Sequence, residues 1–134
     1  MSGSLAHVLR MWEDDAASRA LGMDAVVIET DHALVRMAVT EAMVNGHAIA
    51  HGGYIFTLAD SAFALACNSR GQTTVAAGAD VTFVSAARLG DVLLAEAQVR
   101  TTYGRSGITD VTVTREDDGA VVAEFRGRSR TLAR

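Results

Sequence analysis

The residues with the clearest chemical potential lie in one segment, HGGYIFTLADSAFALACNSR, which runs from His51 to Arg70. Asp60 is the only charged residue between these two ends, and most of its neighbours are small or apolar. Leaving water costs a buried carboxylate much of its hydration free energy unless it is paired or neutralised. Titratable groups held in such surroundings cluster at functional sites. We therefore predict that Asp60 has a chemical role.

The pattern around Asp60 is typical of a helix that starts near residue 51, ends before residue 71 and is enclosed by protein on all faces. Phe56 precedes Asp60 by four positions, and Phe63 and Ala64 follow it by three and four. Residues at these spacings share one face of a helix, so little room is left for water there. The carboxylate is thus predicted to be at least partly desolvated.

The start of this helix is a second candidate feature. The first backbone N–H groups of a helix have no partner within it and could stabilise a developing negative charge. Gly52 and Gly53 either form a tight turn or let a substrate carbonyl approach such an N–H group. Asn45, followed by glycine, either forms a turn or orients a water molecule. His51 is expected to cap the helix or to contact substrate.

Metal binding and nucleophilic catalysis by Ser or Cys are weaker interpretations. His47 and His51 are four apart, but no cysteine cluster or second histidine pair supports a site with Asp60, so we predict no metal and no other cofactor. Ser61 lacks a nucleophile-elbow motif, and no histidine with an orienting acid can be identified beside Cys67. Both side chains are predicted to pack in the interior.

Arginines provide possible contacts to an anionic ligand. Arg126, Arg128 and Arg130 alternate along the last predicted strand and so point to one face. That face is either solvated or binds ligand phosphates, as Arg105 in the turn segment YGRSG also could.

The overall composition limits the possible classes of protein. The chain has 134 residues, 49% of them hydrophobic and 21% charged, which suits a single globular domain over residues 1–134. A net charge of -4 argues against a nucleic-acid partner. Cys67 is the only cysteine, and the first twenty residues resemble neither a signal peptide nor a membrane anchor. We expect a cytoplasmic protein.

The order of predicted elements is a short amphipathic helix over residues 4–20, two strands over 23–39, a loop, the long helix, and four strands. Turn residues at 90–91, 103–105 and 117–119 separate the last strands. Strands that follow one another through short turns favour an antiparallel α+β fold. One curled antiparallel sheet wrapped around the long central helix would explain why that helix has no polar face.

With these motifs in place, the chain resembles the hot-dog fold acyl-CoA thioesterases, in the PaaI-like branch associated with phenylacetate degradation. The resemblance runs through VNGHAIAHGGYIFTLADSAFALACNS, AAGADVTFVSAARLGD and YGRSGITDVTV and covers most of residues 20–130. It implies hydrolysis of an acyl-CoA, such as phenylacetyl-CoA or a ring-hydroxylated relative, to the free acid and CoA.

The resemblance also implies roles for individual residues. Asp60 corresponds to the general base or nucleophile, and the Gly52 N–H to the group that polarises the thioester carbonyl. Asn45 corresponds to the polar residue near the attacking water, and His51 to a residue lining the carbonyl site. A further expectation is that Arg105, Ser106 and Gly107 of the YGRSG segment contact the CoA.

The spacing of two of these residues predicts an oligomer. Eight residues separate Gly52 from Asp60, which corresponds to about 12 Å along one helix. Both can act on one carbonyl only if Asp60 comes from a second copy across a two-fold axis. We therefore expect a homodimer as the smallest active unit, and the resemblance implies that two dimers form a homotetramer.

Two other functions remain open from the sequence alone. A hydratase or dehydratase of acyl thioesters would pair a histidine with the carboxylate, and His51 keeps that alternative open. A non-catalytic acyl-CoA-binding module would use the same groove without releasing a thiol.

Overall fold

A computed structural model describes residues 3–132 of the chain. It contains three α-helices and six β-strands, with two strands before the long helix and four after it, as predicted. The helices are α1 (Gly3–Glu13), α2 (Ala16–Ala20) and α3 (Gly52–Cys67), and a 3-10 turn spans Glu41–Met43. The strands are β1 (Asp24–Glu29), β2 (His32–Ala38), β3 (Thr74–Phe83), β4 (Val92–Tyr103), β5 (Ser106–Arg115) and β6 (Val121–Thr131).

All six strands belong to one antiparallel sheet in the order β1-β2-β4-β5-β6-β3. The sheet curls around α3, which contacts every strand. The predicted fold, an α+β hot-dog fold with a curled antiparallel sheet around a long central helix, is confirmed. The sheet order leaves β1 and β3 at its two edges.

Alternation along the strands places the core between the sheet and α3. Inward-facing residues such as Val111 and Phe125 are buried against α3 residues such as Leu58 and Phe63. Gly127 is required where β6 crosses the helix, because a Cβ atom there would lie 2.3 Å from the Phe63 ring. Close packing of this kind fixes the height and rotation of α3 within the sheet.

The N-terminal segment consists of two helices, so the single helix predicted over residues 4–20 is wrong. The Asp15 side chain accepts a hydrogen bond from the Ser18 N–H at 2.9 Å and starts α2 as its N-cap. Ala16 is exposed, whereas the polar Ser18 is buried, so one amphipathic helix over residues 4–20 does not describe the segment. A local side-chain cap has therefore overridden the hydrophobic spacing.

The expectation that α3 is enclosed on all faces is also wrong for a single chain. Half of the helix residues are buried, but Thr57, Asp60, Ala64 and Cys67 are only half-buried. Their spacing of three and four residues places them on one stripe of the helix. The candidate carboxylate thus lies on the face of α3 that its own sheet leaves partly open.

Within residues 3–132, no helix is long and apolar enough to cross a membrane.

Candidate active site

The first turn of α3 leaves one backbone N–H without a partner. His51 is the N-cap, and its Nδ1 accepts the Gly53 N–H at 3.3 Å. The Tyr54 N–H donates to the His51 carbonyl at 3.0 Å. Within the described part of the chain, the Gly52 N–H makes no hydrogen bond. It can therefore donate to a ligand at the positive end of the helix dipole.

The predicted capping role of His51 is confirmed, and the ring is exposed. Because Nδ1 accepts a hydrogen bond, the neutral ring carries its proton on Nε2. Across residues 3–132, no three His, Cys, Asp or Glu side chains converge as a metal site requires.

A cleft of about 480 Å³ opens beside the Gly52 amide. It is lined by uncharged residues only, among them Asn45, Gly52, Ile55, Phe83 and Ala86. The Phe83 ring lies directly over Gly52, and a Cβ atom at that position would lie 2.9 Å from its Cζ. The absence of a side chain at Gly52 therefore makes room for the ring. The cleft offers a hydrogen-bond donor among mostly apolar walls, as a small-molecule site does.

Asn45 both forms a turn and faces the cleft. Its Oδ1 accepts the backbone N–H of His47 at 2.8 Å, which is the turn that the sequence indicated. The amide Nδ2 makes no hydrogen bond within residues 3–132 and can donate to a water molecule. The two interpretations of Asn45 are thus compatible, because they use different atoms of one side chain.

Asp60 is half-buried, and its carboxylate has no hydrogen-bond or ion-pair partner among the described residues. Burial raises its pKa above the ordinary value, with a further contribution from the negative charge of Asp15. An unpaired carboxyl with a raised pKa is a stronger base once it ionises. This setting agrees with the chemical role that the sequence indicated for Asp60.

The raised pKa of Asp60 has a consequence for stability. A carboxyl whose pKa is higher in the folded than in the unfolded state disfavours folding once the pH exceeds its ordinary value of 3.8. The penalty grows until the pH passes the folded-state pKa, and is constant above it. We expect Asp60→Asn, which cannot ionise, to raise Tm at neutral pH by an amount that shrinks towards acidic pH. Thermal unfolding of both proteins across this pH range measures the difference, and a pH-independent gain would contradict the explanation.

One chain does not bring the two candidate groups together. Asp60 lies eight residues beyond Gly52 on the same helix, about 12 Å along its axis. It is also absent from the lining of the cleft that holds the Gly52 amide. Within one chain, the Gly52 N–H therefore has no carboxylate beside it, and the Asp60 carboxylate has no such donor beside it.

The residues expected to contact CoA lie at the turn between β4 and β5. Arg105 is exposed, and Ser106 lines a small cavity of about 160 Å³ together with Cys67 and Thr109. Gly107 is buried, where a Cβ atom would lie 2.8 Å from the Ser129 Oγ. The assignment of these residues to CoA stays a prediction.

The other candidate nucleophiles occupy structural positions. The Ser61 hydroxyl is buried and lies 2.7 Å from that of Ser18. Burial raises the pKa of the Cys67 thiol to about 12, which leaves little thiolate at neutral pH. The interior position predicted for Ser61 is confirmed, whereas Cys67 is only half-buried and lines the small cavity near Ser106.

The arginines of β6 point to the outer face of the sheet. Arg126 forms a two-pronged pair with Asp110, with distances of 2.7 and 2.8 Å, and Arg128 contacts Asp80 at 3.0 Å. These pairs favour the solvated-face interpretation for Arg126 and Arg128.

Two contributions to the site were missed in the sequence. Phe83 was not identified as a candidate, yet its ring lies where a side chain at Gly52 would be, beside the start of α3. Asp15 was not singled out, yet its negative charge raises the pKa of Asp60. An aspartate directly before a helix is a preferred N-cap, and this signal could have located the start of the second helix.

The fold and these candidate groups together indicate the class of protein to which the chain belongs. A sequence profile of the thioesterase superfamily matches residues 47–122. The chain belongs to the thioesterase superfamily and is a thioester hydrolase.

Individual relatives agree with this assignment. The chain is 42% identical over 122 residues to the acyl-coenzyme A thioesterase PaaI of Escherichia coli, covering 91% of this chain and 86% of that protein. The structure of the E. coli PaaI protein, from the phenylacetic acid degradation operon, superimposes with a TM-score of 0.94 and 39% identity, covering 98% of this chain and 94% of that chain. A Streptococcus mutans protein bound to acetyl CoA matches with a TM-score of 0.80 and 29% identity, covering 84% and 90%.

Proposed function

We propose that this protein hydrolyses acyl-CoA thioesters, with phenylacetyl-CoA or a ring-hydroxylated aryl-acyl-CoA as substrate. The observation that carries the proposal is an unpaired helix-start amide in an uncharged cleft, at Gly52, combined with an unpaired carboxylate at Asp60. The 42% identity to an acyl-coenzyme A thioesterase supports the CoA ester as substrate class. The phenylacetic acid degradation operon that encodes E. coli PaaI supports an aromatic acyl group.

In the proposed reaction, the Gly52 N–H polarises the thioester carbonyl. The thioester carbonyl oxygen accepts this N–H, and the positive end of α3 stabilises the negative charge that develops on the oxygen. The uncharged and mostly apolar walls of the cleft lower the local polarity around the carbonyl and strengthen this electrostatic interaction. The Phe83 ring limits how deeply the acyl group can enter beside the amide.

Asp60 acts either as the general base that activates a water molecule or as the nucleophile itself. In one route it removes a proton from water held by the Asn45 Nδ2 as the water oxygen bonds to the carbonyl carbon. In the other, its own oxygen attacks that carbon to form an anhydride, which water then hydrolyses. Either way the C–S bond breaks, the CoA sulfur leaves as a thiolate that takes up a proton, and the acid is released. Both routes require ionised Asp60.

A second copy of the chain completes the proposed site. The edge strand β3 is ten residues long and has no neighbour on its outer side. Exposed apolar side chains, including Val75, Phe83 and Val84, lie along it or just beyond its end. A long apolar edge is suited to pairing with another chain. Because Phe83 also lines the cleft, a copy paired there lies next to the Gly52 amide and can present its own Asp60.

The remaining parts of the proposal concern assembly, CoA binding and location. We propose that two such dimers form a homotetramer, and that Arg105, Ser106 and Gly107 contact the CoA. The protein is proposed to act in the cytoplasm, where its single cysteine, Cys67, would stay reduced. Nucleic acid and membrane are not proposed as partners.

A thiol-release assay over a panel of acyl-CoAs tests the proposed function. Phenylacetyl-CoA and hydroxyphenylacetyl-CoA are compared with short-chain and long-chain acyl-CoAs under identical conditions. We expect the highest kcat/KM with the aromatic esters. Binding without thiol release would instead indicate an acyl-CoA-binding module, and hydration of an enoyl-CoA without thiol release would indicate a hydratase.

A further inference from the structure

A buried chain of hydrogen bonds links the N-terminal segment to the helix that carries Asp60. The Asp15 Oδ1 accepts the Ser18 backbone N–H at 2.9 Å, and its Oδ2 lies 2.6 Å from the Ser18 Oγ. The Ser18 Oγ lies 2.7 Å from the Ser61 Oγ. Ser18 is 1% exposed and Ser61 is 8% exposed. Hydrogen bonds among buried hydroxyls are costly to break, so this link fixes α2 on α3.

The direction of the hydrogen bonds follows from the charge of Asp15. An ionised carboxylate only accepts, so the Ser18 hydroxyl donates its single proton to Asp15. The Ser18 oxygen can then only accept, and Ser61 is the donor to it. The Ser61 proton is therefore directed towards Asp15 and away from its neighbour Asp60. Asp60 receives no hydrogen bond from this chain of groups.

The two carboxylates have opposite surroundings. Asp15 accepts two hydrogen bonds, whereas Asp60 accepts none among the described residues and is partly desolvated. Two titratable groups interact electrostatically with Asp60. The charge of Asp15, at the start of α2, raises the pKa of Asp60, and the charge of Asp60 raises the pKa of Cys67 on α3. The Cys67 thiol has a pKa of about 12 and is neutral when Asp60 titrates. Asp15 is thus the charged group of the same chain that acts on Asp60.

We propose that Asp15 is a positioning residue for Asp60, which it influences by tying α2 to the adjacent position on α3 and by placing a second negative charge near it. The inference rests on the proposed function, in which Asp60 reacts as the carboxylate. Besides this link between the helices, the negative charge of Asp15 raises the pKa of Asp60, next to the larger effect of burial.

Asp15→Asn tests whether the negative charge of Asp15 affects Asp60, with little change in structure. Asparagine is as good an N-cap as aspartate, so the start of α2 is preserved. Its amide can donate to the Ser18 Oγ, and Ser18 can then donate to Ser61, which reverses the hydrogen bonds without breaking them. We expect the acidic limb of the kcat/KM profile to move to lower pH. Asp14→Asn removes an exposed charge one residue away and is the matched control, with an unmoved limb.

A carbon-13 NMR titration of the Asp60 carboxyl in the same three proteins gives a readout independent of activity. The midpoint is expected at lower pH in Asp15→Asn than in the parent and in Asp14→Asn. If the midpoint does not move, or moves equally in both variants, the inference is overturned. If it moves only in Asp15→Asn while the parent releases no thiol, the coupling stands and the proposed function fails. Asp15→Ser, another neutral cap, repeats the test if the amide disturbs folding.

Ser18→Ala tests whether the hydrogen-bonded link between α2 and α3 positions Asp60. It leaves both carboxylates in place and removes the hydroxyl through which Asp15 is linked to Ser61, the neighbour of Asp60. We expect kcat to fall about tenfold with KM little changed, because a small displacement of a reacting group lowers the rate without weakening binding. A Ser18→Ala enzyme with the parent kcat would show that the link does not position Asp60.

Discussion

Gly52→Pro is expected to release thiol about 10²- to 10³-fold more slowly than Gly52→Ala, the usual cost of removing one oxyanion donor. Proline removes the backbone N–H that is proposed to polarise the thioester carbonyl. Gly52 is the first residue of α3, a position where proline is well tolerated because its missing N–H has no partner within the helix. His51 has φ -63° and ψ 134°, the conformation that a residue before proline prefers.

The alanine variant is the matched control for this comparison. Both substitutions add a Cβ atom 2.9 Å from the Phe83 ring, so both require the same displacement of that half-exposed side chain. The comparison therefore cancels the effect of the Cβ atom and leaves the replacement of the N–H by the proline ring CH₂ bonded to the same nitrogen. Equal rates for Gly52→Pro and Gly52→Ala, with both proteins folded by circular dichroism, would remove Gly52 from the mechanism.

Asp60→Asn is expected to lower kcat about 10²- to 10⁴-fold, the range attributed to a positioned general base. The carboxamide has the same shape as the carboxyl but can neither accept a proton at working pH nor attack a carbonyl carbon. Single-turnover thiol release with saturating enzyme separates this loss from any change in substrate binding. Asp14→Asn again serves as the control for the loss of one negative charge. An Asp60→Asn enzyme with normal turnover would exclude the proposed role.

The parts of the fold that depend on local pattern were predicted from the sequence. Alternation and turn residues located all six strands, and the His51-Gly52-Gly53 sequence located the start of α3. The isolation of Asp60 in an apolar segment was sufficient to identify it as a candidate group. These features depend on neighbours within a few positions, which is the range over which hydrophobic spacing and capping act.

Features that depend on distant contacts were not predicted. The face of α3 that stays open is set by the curvature of the sheet, which spacing along one helix does not reveal. The link from Asp15 to Ser61 joins residues 46 positions apart through Ser18. The position of Phe83 over Gly52 likewise depends on how β3 lies against the start of the helix. Such contacts follow from tertiary packing, which overrides local preference.

The most direct test of a site shared between two copies is complementation of two inactive variants. Gly52→Pro and Asp60→Asn chains are co-expressed with different affinity tags, and the mixed dimers are purified through both tags. In a mixed dimer, one site carries both substitutions and the other carries neither. We expect about half of the parent activity per mixed dimer, with each variant alone nearly inactive. Mixed dimers as inactive as the separate variants would contradict a site built from the Gly52 amide of one chain and the Asp60 carboxylate of its partner.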